Sequence, residues 1–372
     1  MSSPAPGLLR RFEAEPDCSF SREELQELRD LAGSNTRAAK IVALHCFKAG
    51  DFAGCVEFAE LVLKQESSEE NLVNLVVGLR AAGLLAKAIS SLRDHAALLR
   101  PVTFHDLMCS CLTRLGEIEE AVKHGDQALK LKNDACKSVK RTASFVVRPF
   151  DIQAAKKNVI AFSVFGSNSR YLIGAVNNAC VARYLYPGWT ARFYTDSSTP
   201  SDFQKALRQN AAEVVLVSDL DASRYGLFWR FLVEDDENVD VYLVRDADSV
   251  LNSKERSAVA GWLKSGKPFH IMRDHPQHSE LMLAGMWGAH RGNIGNMRKR
   301  ITTFVERLPK RANYVHKDQH FLREEIWPIV RQSVHSTDSH FNFMSPQRFD
   351  PDYALPKGRH VGQDDWIFYT KN

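Results

Sequence analysis

Two carboxylates one residue apart, Asp246 and Asp248, close the stretch Val239-Asp240-Val241-Tyr242-Leu243-Val244-Arg245-Asp246-Ala247-Asp248-Ser249. The first half is short, β-branched and apolar, the pattern of a strand buried on both faces. Open α/β sheets bind ligands just beyond the carboxyl ends of their parallel strands, so the pair stands where a ligand is expected. Two hard oxygen donors there suit a Mg²⁺ or Mn²⁺ ion that also bridges the phosphates of a substrate. An isolated Asp-x-Asp is also an ordinary surface turn. The buried-type strand upstream is what favours chemistry.

The elements around the pair alternate. Val159 to Phe165 reads as a strand, followed by a helix from Arg170 to Tyr186 that Pro187-Gly188-Trp189 stops. Thr190 to Thr195 is a second strand ending at Asp196. A polar helix from Ser201, a third strand over Glu213 to Val217 and a helix around Tyr225 to Val233 lead to the strand before Asp246. Such alternation predicts an α/β domain with a mainly parallel sheet and helices on both faces. The loop Gly166-Ser167-Asn168-Ser169 lacks the glycines of a dinucleotide fingerprint or a phosphate-binding P-loop. It also lacks the Gly-rich basic loop of a sugar nucleotidyltransferase.

Several stretches in this order resemble GT-A glycosyltransferases, in particular bacterial sugar transferases distantly related to the glycogenin-like enzymes. They include Phe162-Ser163-Val164-Phe165-Gly166 with Arg170-Tyr171-Leu172, Tyr186-Pro187-Gly188-Trp189, Phe228-Trp229-Arg230-Phe231-Leu232 and Arg245-Asp246-Ala247-Asp248-Ser249. Phe269 to Pro276, Gly285-Met286-Trp287-Gly288, Asp318-Gln319-His320-Phe321-Leu322 and His360-Val361-Gly362-Gln363 continue the series. The resemblance implies a GT-A (Rossmann-like) domain transferring a hexose from a nucleotide diphosphate sugar, UDP-linked by preference. The acceptor would be a glycan, a lipid-linked glycan or a protein. It implies Mn²⁺ or Mg²⁺ held by Asp246, Asp248 and His360. Asp364-Asp365-Trp366 stands where the family has Lys-Pro-Trp, which removes a phosphate-neutralising lysine.

Donor binding is expected from Phe165, Gly166, Tyr171, Asp196, Arg230 and Arg245, together with Asp246 and Asp248. An arginine as apolar in its setting as Arg230 needs an anionic partner, either a donor phosphate or an internal carboxylate; Arg245 is similar, or holds the loop. Asp274, His275 and His278, with Gly285 and Trp287 following, suit a sugar pocket of carboxylate, imidazole and aromatic groups. His275 and His278 have a spacing that zinc sites use, but no Cys or third near ligand accompanies them. Asp318 and Gln319 open a helix. Asp318 is a helix cap, or a general base or electrostatic stabiliser at the reacting sugar.

The N-terminal third is of another kind. From Ser21 to about Lys132 apolar residues recur at helical spacing. Segments beginning Ala49-Gly50-Asp51, Ala82-Gly83-Leu84 and Leu115-Gly116-Glu117 align with a period of 33. Each has a glycine where a helix would stop, and the small residues Cys55, Ala88 and Ala121 open the following packed face. This is similar to tetratricopeptide repeats, with a usual period of 34, though the signature Trp and Tyr are missing. Such repeats bind a protein or peptide, or mediate self-association; an adaptor carrying an idle α/β domain is the rival to an enzyme.

The expected division is a disordered tail over 1–20, repeats over 21–135, a basic solvated linker over 136–157 and the GT-A domain over 158–372. With 372 residues, 44% hydrophobic, 25% charged and a formal net charge of +4, the chain reads as globular with no call for nucleic acid. No apolar run reaches bilayer-spanning length. Arg10 and Arg11 precede no apolar core of a secretory signal, and seven cysteines in apolar helical patterns suit reduced thiols in the cytoplasm.

Overall fold

The computed structural model describes residues 5–14, 18–140, 144–309 and 316–369. The chain divides into two compact units, residues 1–131 and 132–372.

The first unit is helical. Its helices are α1 (Ala5–Ala14), α2 (Arg22–Ala32), α3 (Thr36–Lys48), α4 (Phe52–Gln65), α5 (Glu69–Ala81), α6 (Leu85–Asp94), α7 (Pro101–Leu115) and α8 (Ile118–Ala135). The period of 33 is written into its turns. Gly50, Gly83 and Gly116 all take left-handed φ values, of 76°, 73° and 94°, where a side chain would be strained. The next N–H in each case reaches back to a carbonyl five residues earlier: Asp51 to Cys46 at 2.9 Å, Leu84 to Leu79 at 2.8 Å and Glu117 to Leu112 at 3.0 Å. This is the same helix-terminating motif used three times. Cys55, Ala88 and Ala121 are buried at the helix contacts that follow. The expected disordered tail is corrected in part. α1 is formed and buries Leu8 against Leu28, Ala32 and Ile41, because Leu8, Leu9 and Phe12 make one apolar side. Residues 1–4 and 15–17 of that expected tail lie outside the described residues.

The second unit is built on a seven-stranded sheet in the order β3-β2-β1-β4-β6-β5-β7. The strands are β1 (Asn158–Ser163), β2 (Thr190–Thr195), β3 (Glu213–Leu216), β4 (Val241–Arg245), β5 (Phe269–Arg273), β6 (Met286–His290) and β7 (Val334–Asp338). β6 runs antiparallel to β4 and β5; the other pairings are parallel. The chain leaves β1 towards β2 and β3 on one side, then returns to place β4 on β1's other side. The gap beyond the ends of β1 and β4 is therefore a topological switch point, where open sheets bind ligands.

Helices α9 (Ser169–Leu185), α10 (Ser201–Gln209) and α12 (Ser253–Ser265) pack with β1, β2 and β4 around Phe162, Phe193, Leu243 and Trp262. Between α11 (Ala222–Tyr225) and β4 the expected helix is a tighter 3-10 segment, Gly226–Asp235. Its aromatic residues Phe228 and Phe231 form a second core with Phe304 of α13 (Met297–Arg307) and Phe321 of α14 (Lys317–Phe321). α14 passes through a π-helical turn, Leu322–Ile326, into α15 (Trp327–Val330). A last short helix, α16, spans Trp366–Tyr369.

The described residues of the expected 136–157 linker are irregular and mostly exposed and fall within the second unit, and the segment before β1 is fastened to it. Val146 exchanges two 2.8 Å hydrogen bonds with the Asn293 side chain, and Phe150 stacks on Trp189 with centroids 5.5 Å apart. Its basic residues Lys137 and Arg148 pair with Glu325 and Asp240; Arg141 lies outside the described residues. Among the described residues no helix is long and apolar enough to cross a membrane.

Candidate active site

Strand alternation decides what β4 offers. Val241, Leu243 and Arg245 face α9 and α12, whereas Tyr242, Val244 and Asp246 face the 3-10 segment. Tyr242 accordingly meets Trp287 edge-on at 5.6 Å, and Leu243 joins the core of Trp262. Arg245 turns inward, with Nε and one terminal nitrogen engaged and the other terminal nitrogen buried without a partner among the described residues. Its guanidinium pairs with the buried Glu255 at 3.3 Å and donates to the carbonyls of Val244 at 2.8 Å and Trp287 at 3.0 Å. Arg245 is therefore removed from the expected donor-binding residues, because its register points it into the core.

One residue later the chain emerges. The Asp246 carboxylate pairs with Arg230, and the opposite arm of Arg230 reaches Asp318 at 2.9 Å. Asp248 pairs with Arg170, which also touches Asp364 at 3.2 Å. Each arginine thus lies between two carboxylates, and the Asp-x-Asp supplies one to each. Four carboxylates against two guanidiniums leave two negative charges unmatched. Burial, reinforced by Asp246, raises the Asp248 carboxyl above its ordinary range. Asp318 is raised too, mainly by burial, even beside Arg230. It is no helix cap: His316 occupies the N-cap of α14, and Asp318 accepts the N–H of Gln319 at 3.0 Å. The side-chain oxygen of Gln319 is buried with no hydrogen-bond partner among the described residues.

Backbone seats the carboxylates closely. A Cβ on Gly285 would lie 2.0 Å from Asp246 Oδ2, and one on Gly174 of α9 would lie 2.3 Å from the Ala247 carbonyl. The C-terminal segment closes the other side. The Asp365 N–H donates to the Asp248 carbonyl at 3.0 Å, and its carboxylate accepts from Val250 N–H at 2.7 Å. Asp365, Asp364 and Arg170 were not expected here. The substituted Asp364-Asp365 pair and an arginine in the first turn of α9 were the only signals for them.

At the end of β1, Phe165 is half-buried edge-on to Trp229 with centroids 5.6 Å apart. Gly166 turns there with φ 73° and donates its N–H to Ser198 Oγ at 2.7 Å. Ser198 in turn bonds Asp196, so Gly166 and Asp196 are coupled. Tyr171 presents an exposed ring, 38% accessible, with the Arg170 guanidinium 5.2 Å from its centroid.

Beyond β5 the expectations divide. Asp274 is spent internally, on Lys254 Nζ at 2.6 Å, Ser339 and the N–H of Val361 at 2.8 Å. It is a tether for the C-terminal segment, and a buried carboxylate needs such partners. Trp287 is wholly buried in β6 between Phe231 and Tyr242, so no ligand reaches its ring. Gly285 serves Asp246. Only the histidines stay half-exposed, and His360 joins them, 4.4 Å from His275 and 5.0 Å from His278 between ring centroids.

Their hydrogen bonds fix what the rings present. His275 Nδ1 accepts from Gln277 N–H at 3.2 Å and His278 Nδ1 from Asp274 N–H at 3.1 Å. In a neutral ring the proton then sits on Nε2, which leaves no lone pair there for a metal. His360 Nδ1 bonds the Val361 carbonyl at 3.0 Å, so its Nε2 keeps the lone pair. Burial lowers His275 to about 4 and His278 well below its ordinary value, so both are neutral. Among the described residues no three His, Cys, Asp or Glu side chains are gathered to hold an ion. His360 is therefore not preassembled with Asp246 and Asp248 as a ligand set, because it packs on the other imidazoles. The Asp pair itself suits a divalent ion: oxygen donors, two unmatched charges and Asp246 42% exposed.

No protein-family model matches the chain, and no curated protein matches it in sequence. Solved structures similar to it include two mutant proteins. One, a point mutant of MamA, is 20% identical, with 33% of this chain and 72% of that one covered and a TM-score of 0.28. The other is a point mutant of the Thermobaculum terrenum O-GlcNAc transferase, 16% identical over 74% of this chain, with a TM-score of 0.38. The chain spans 55% of that transferase's length. At those scores neither likeness carries a fold or an activity across.

Proposed function

We propose that the second unit is a metal-dependent glycosyltransferase that moves a hexose from a nucleotide diphosphate sugar to a glycan, lipid-linked or protein acceptor. The observation that carries this is the Asp-x-Asp at the β1–β4 switch point, with each carboxylate oriented by an arginine and the group left with surplus negative charge. Asp246 and Asp248 would hold Mn²⁺ or Mg²⁺, which when bound neutralises the charge that builds on a departing diphosphate.

The residues around them have matching work. Arg230 and Arg170 fix the two carboxylates, so no reorganisation is needed when a ligand arrives. Phe165, Gly166 and Tyr171 offer an apolar edge and a stacking face for the base, beside Asp196. The imidazoles of His275 and His278 present two N–H donors and His360 one acceptor, a set that suits sugar hydroxyls. Asp318 and Gln319 stand behind Arg230, where a carboxylate stabilises positive charge developing at the anomeric carbon or takes a proton from the acceptor. The helical unit would recruit a protein partner or a second copy of the chain.

The test is a thermal-shift screen of UDP-, GDP-, CMP- and dTDP-sugars with and without Mn²⁺, followed by a transfer assay. One nucleotide should stabilise the chain only with metal, and Asp246→Ala should remove the effect. Asp248→Asn should abolish transfer and donor hydrolysis. Unchanged activity in that variant sinks the proposal, and no nucleotide binding at all returns the chain to the adaptor reading.

A further inference from the structure

A sizeable cavity in the second unit lies away from the Asp pair. It has a volume of about 660 Å³ and lies between the C-terminal end of α9, the length of α12, β7 and the loop that follows β7. That volume falls within the range of small-ligand sites, about 300–1,000 Å³. Arg256 and Lys264 of α12 and Arg348 of the loop line it, with Asp350 as its one carboxylate. Three cations against one anion leave two positive charges unmatched.

Among the described residues, none of the three forms an ion pair with a carboxylate. Arg348 donates to the carbonyls of Asp338 and Phe341 and to the Asn342 side chain, at 3.0, 2.8 and 2.6 Å. Those neutral partners orient the guanidinium and leave its charge intact. Arg256 lies over the Tyr186 ring at 5.5 Å, and its Nε is buried without a hydrogen-bond partner among the described residues. Asp350 is occupied in capping the N–H of Asp352 at 3.1 Å. Two aromatic rings stand at the rim, Tyr184 82% exposed and Tyr353 45% exposed. Large exposed aromatic rings beside hydrogen-bonding side chains are the surface on which a sugar ring stacks, and the exposed Gln347 supplies such a group.

We propose that this cavity is a second binding site, for an anionic saccharide whose carboxylate or phosphate meets Arg256 and Lys264 while a ring stacks on Tyr184. The site goes beyond the transferase proposal and does not depend on it, since it shares no residue with the Asp-x-Asp group.

The experiment is titration calorimetry on the full chain with three probes: a glucuronate-containing tetrasaccharide, the matching uncharged glucose tetrasaccharide and inorganic phosphate. The acidic tetrasaccharide should bind, more weakly as salt rises, and more tightly than either control. Lys264→Gln, on an exposed stem, should weaken it about tenfold, as loss of one charge-assisted contact does. Tyr184→Ser should weaken it as well, and Arg256→Gln, checked for an unchanged melting profile, should weaken it further. Equal binding of the uncharged tetrasaccharide overturns the anionic character, and equal binding of phosphate overturns the saccharide. No binding, or binding unchanged in the variants, overturns the site. Asp248→Asn should leave this binding intact; its loss there would move the ligand to the Asp-x-Asp cleft and overturn a separate site, whatever becomes of donor binding.

Discussion

At the scale of single residues, Arg230 holds the site together. Its guanidinium, 5% exposed, joins Asp246 to Asp318, itself 8% exposed. Breaking a buried pair by removing one partner leaves an uncompensated charge and costs about 3–5 kcal/mol. Arg230→Met should therefore lower the urea midpoint by that equivalent, and Arg230→Met with Asp318→Leu should recover most of it. Asp318 makes a separate prediction about pH. Burial raises its carboxyl, so between the ordinary Asp value of about 3.9 and the raised one the folded chain binds more protons than the unfolded chain. Its contribution is then present at low pH and is lost as pH rises through that window. Asp318→Asn should flatten the stability profile there, and urea midpoints from pH 3 to 7 check it; an unchanged slope overturns the assignment. The pairing of Arg230 with an internal carboxylate was one of two partners its apolar setting allowed. That setting could not say which carboxylate, because Asp318 is 88 residues away in sequence.

At the scale of elements, the Asp-x-Asp turn is seated by backbone. α9 crosses it at Gly174, and the residue before β6 meets Asp246 at Gly285. Gly174→Ala puts a methyl 2.3 Å from a carbonyl oxygen that cannot swing away. It should destabilise the fold by about 1–3 kcal/mol as overpacking does, and shift the Asp248 turn enough to lose donor binding. Gly285→Ala meets the Asp246 carboxylate at 2.0 Å and its backbone nitrogen at 2.9 Å, so it should displace the Asp246 turn and lower Mn²⁺ affinity; calorimetric titration and urea midpoints of both variants check the two effects. The strands were legible because apolar alternation and buried runs mark them locally: β2 spans the expected Thr190–Thr195. The segment Gly226–Asp235 was not, since apolar residues at helical spacing do not distinguish an α-helix from a 3-10 run.

For the whole molecule, chain order sets the site. Laying β4 beside β1 opens the switch point, and the C-terminal segment returns through Asp365 to clasp the Asp248 turn. Two unmatched charges held in this way should make the fold respond to divalent ions. Mn²⁺ at a hundred times its dissociation constant should add about 2.7 kcal/mol of apparent stability by mass action. EDTA should reverse the gain, and the doubly substituted Asp246→Ala, Asp248→Asn chain should show none.

The sequence by itself determined the helical repeats, the alternating strands and the Asp-x-Asp at the end of β4, because each is a pattern within a few turns or residues. It also marked which side chains carry chemistry. What it left open was their company. Arg245, Trp287 and Asp274 carry suitable groups but are consumed by Glu255, by the aromatic core and by Val361. Arg170, Asp364 and Asp365 acquire their roles only through partners far along the chain. Burial and pairing are properties of contacts between distant segments, so only the tertiary structure decided which polar groups remain free to meet a ligand.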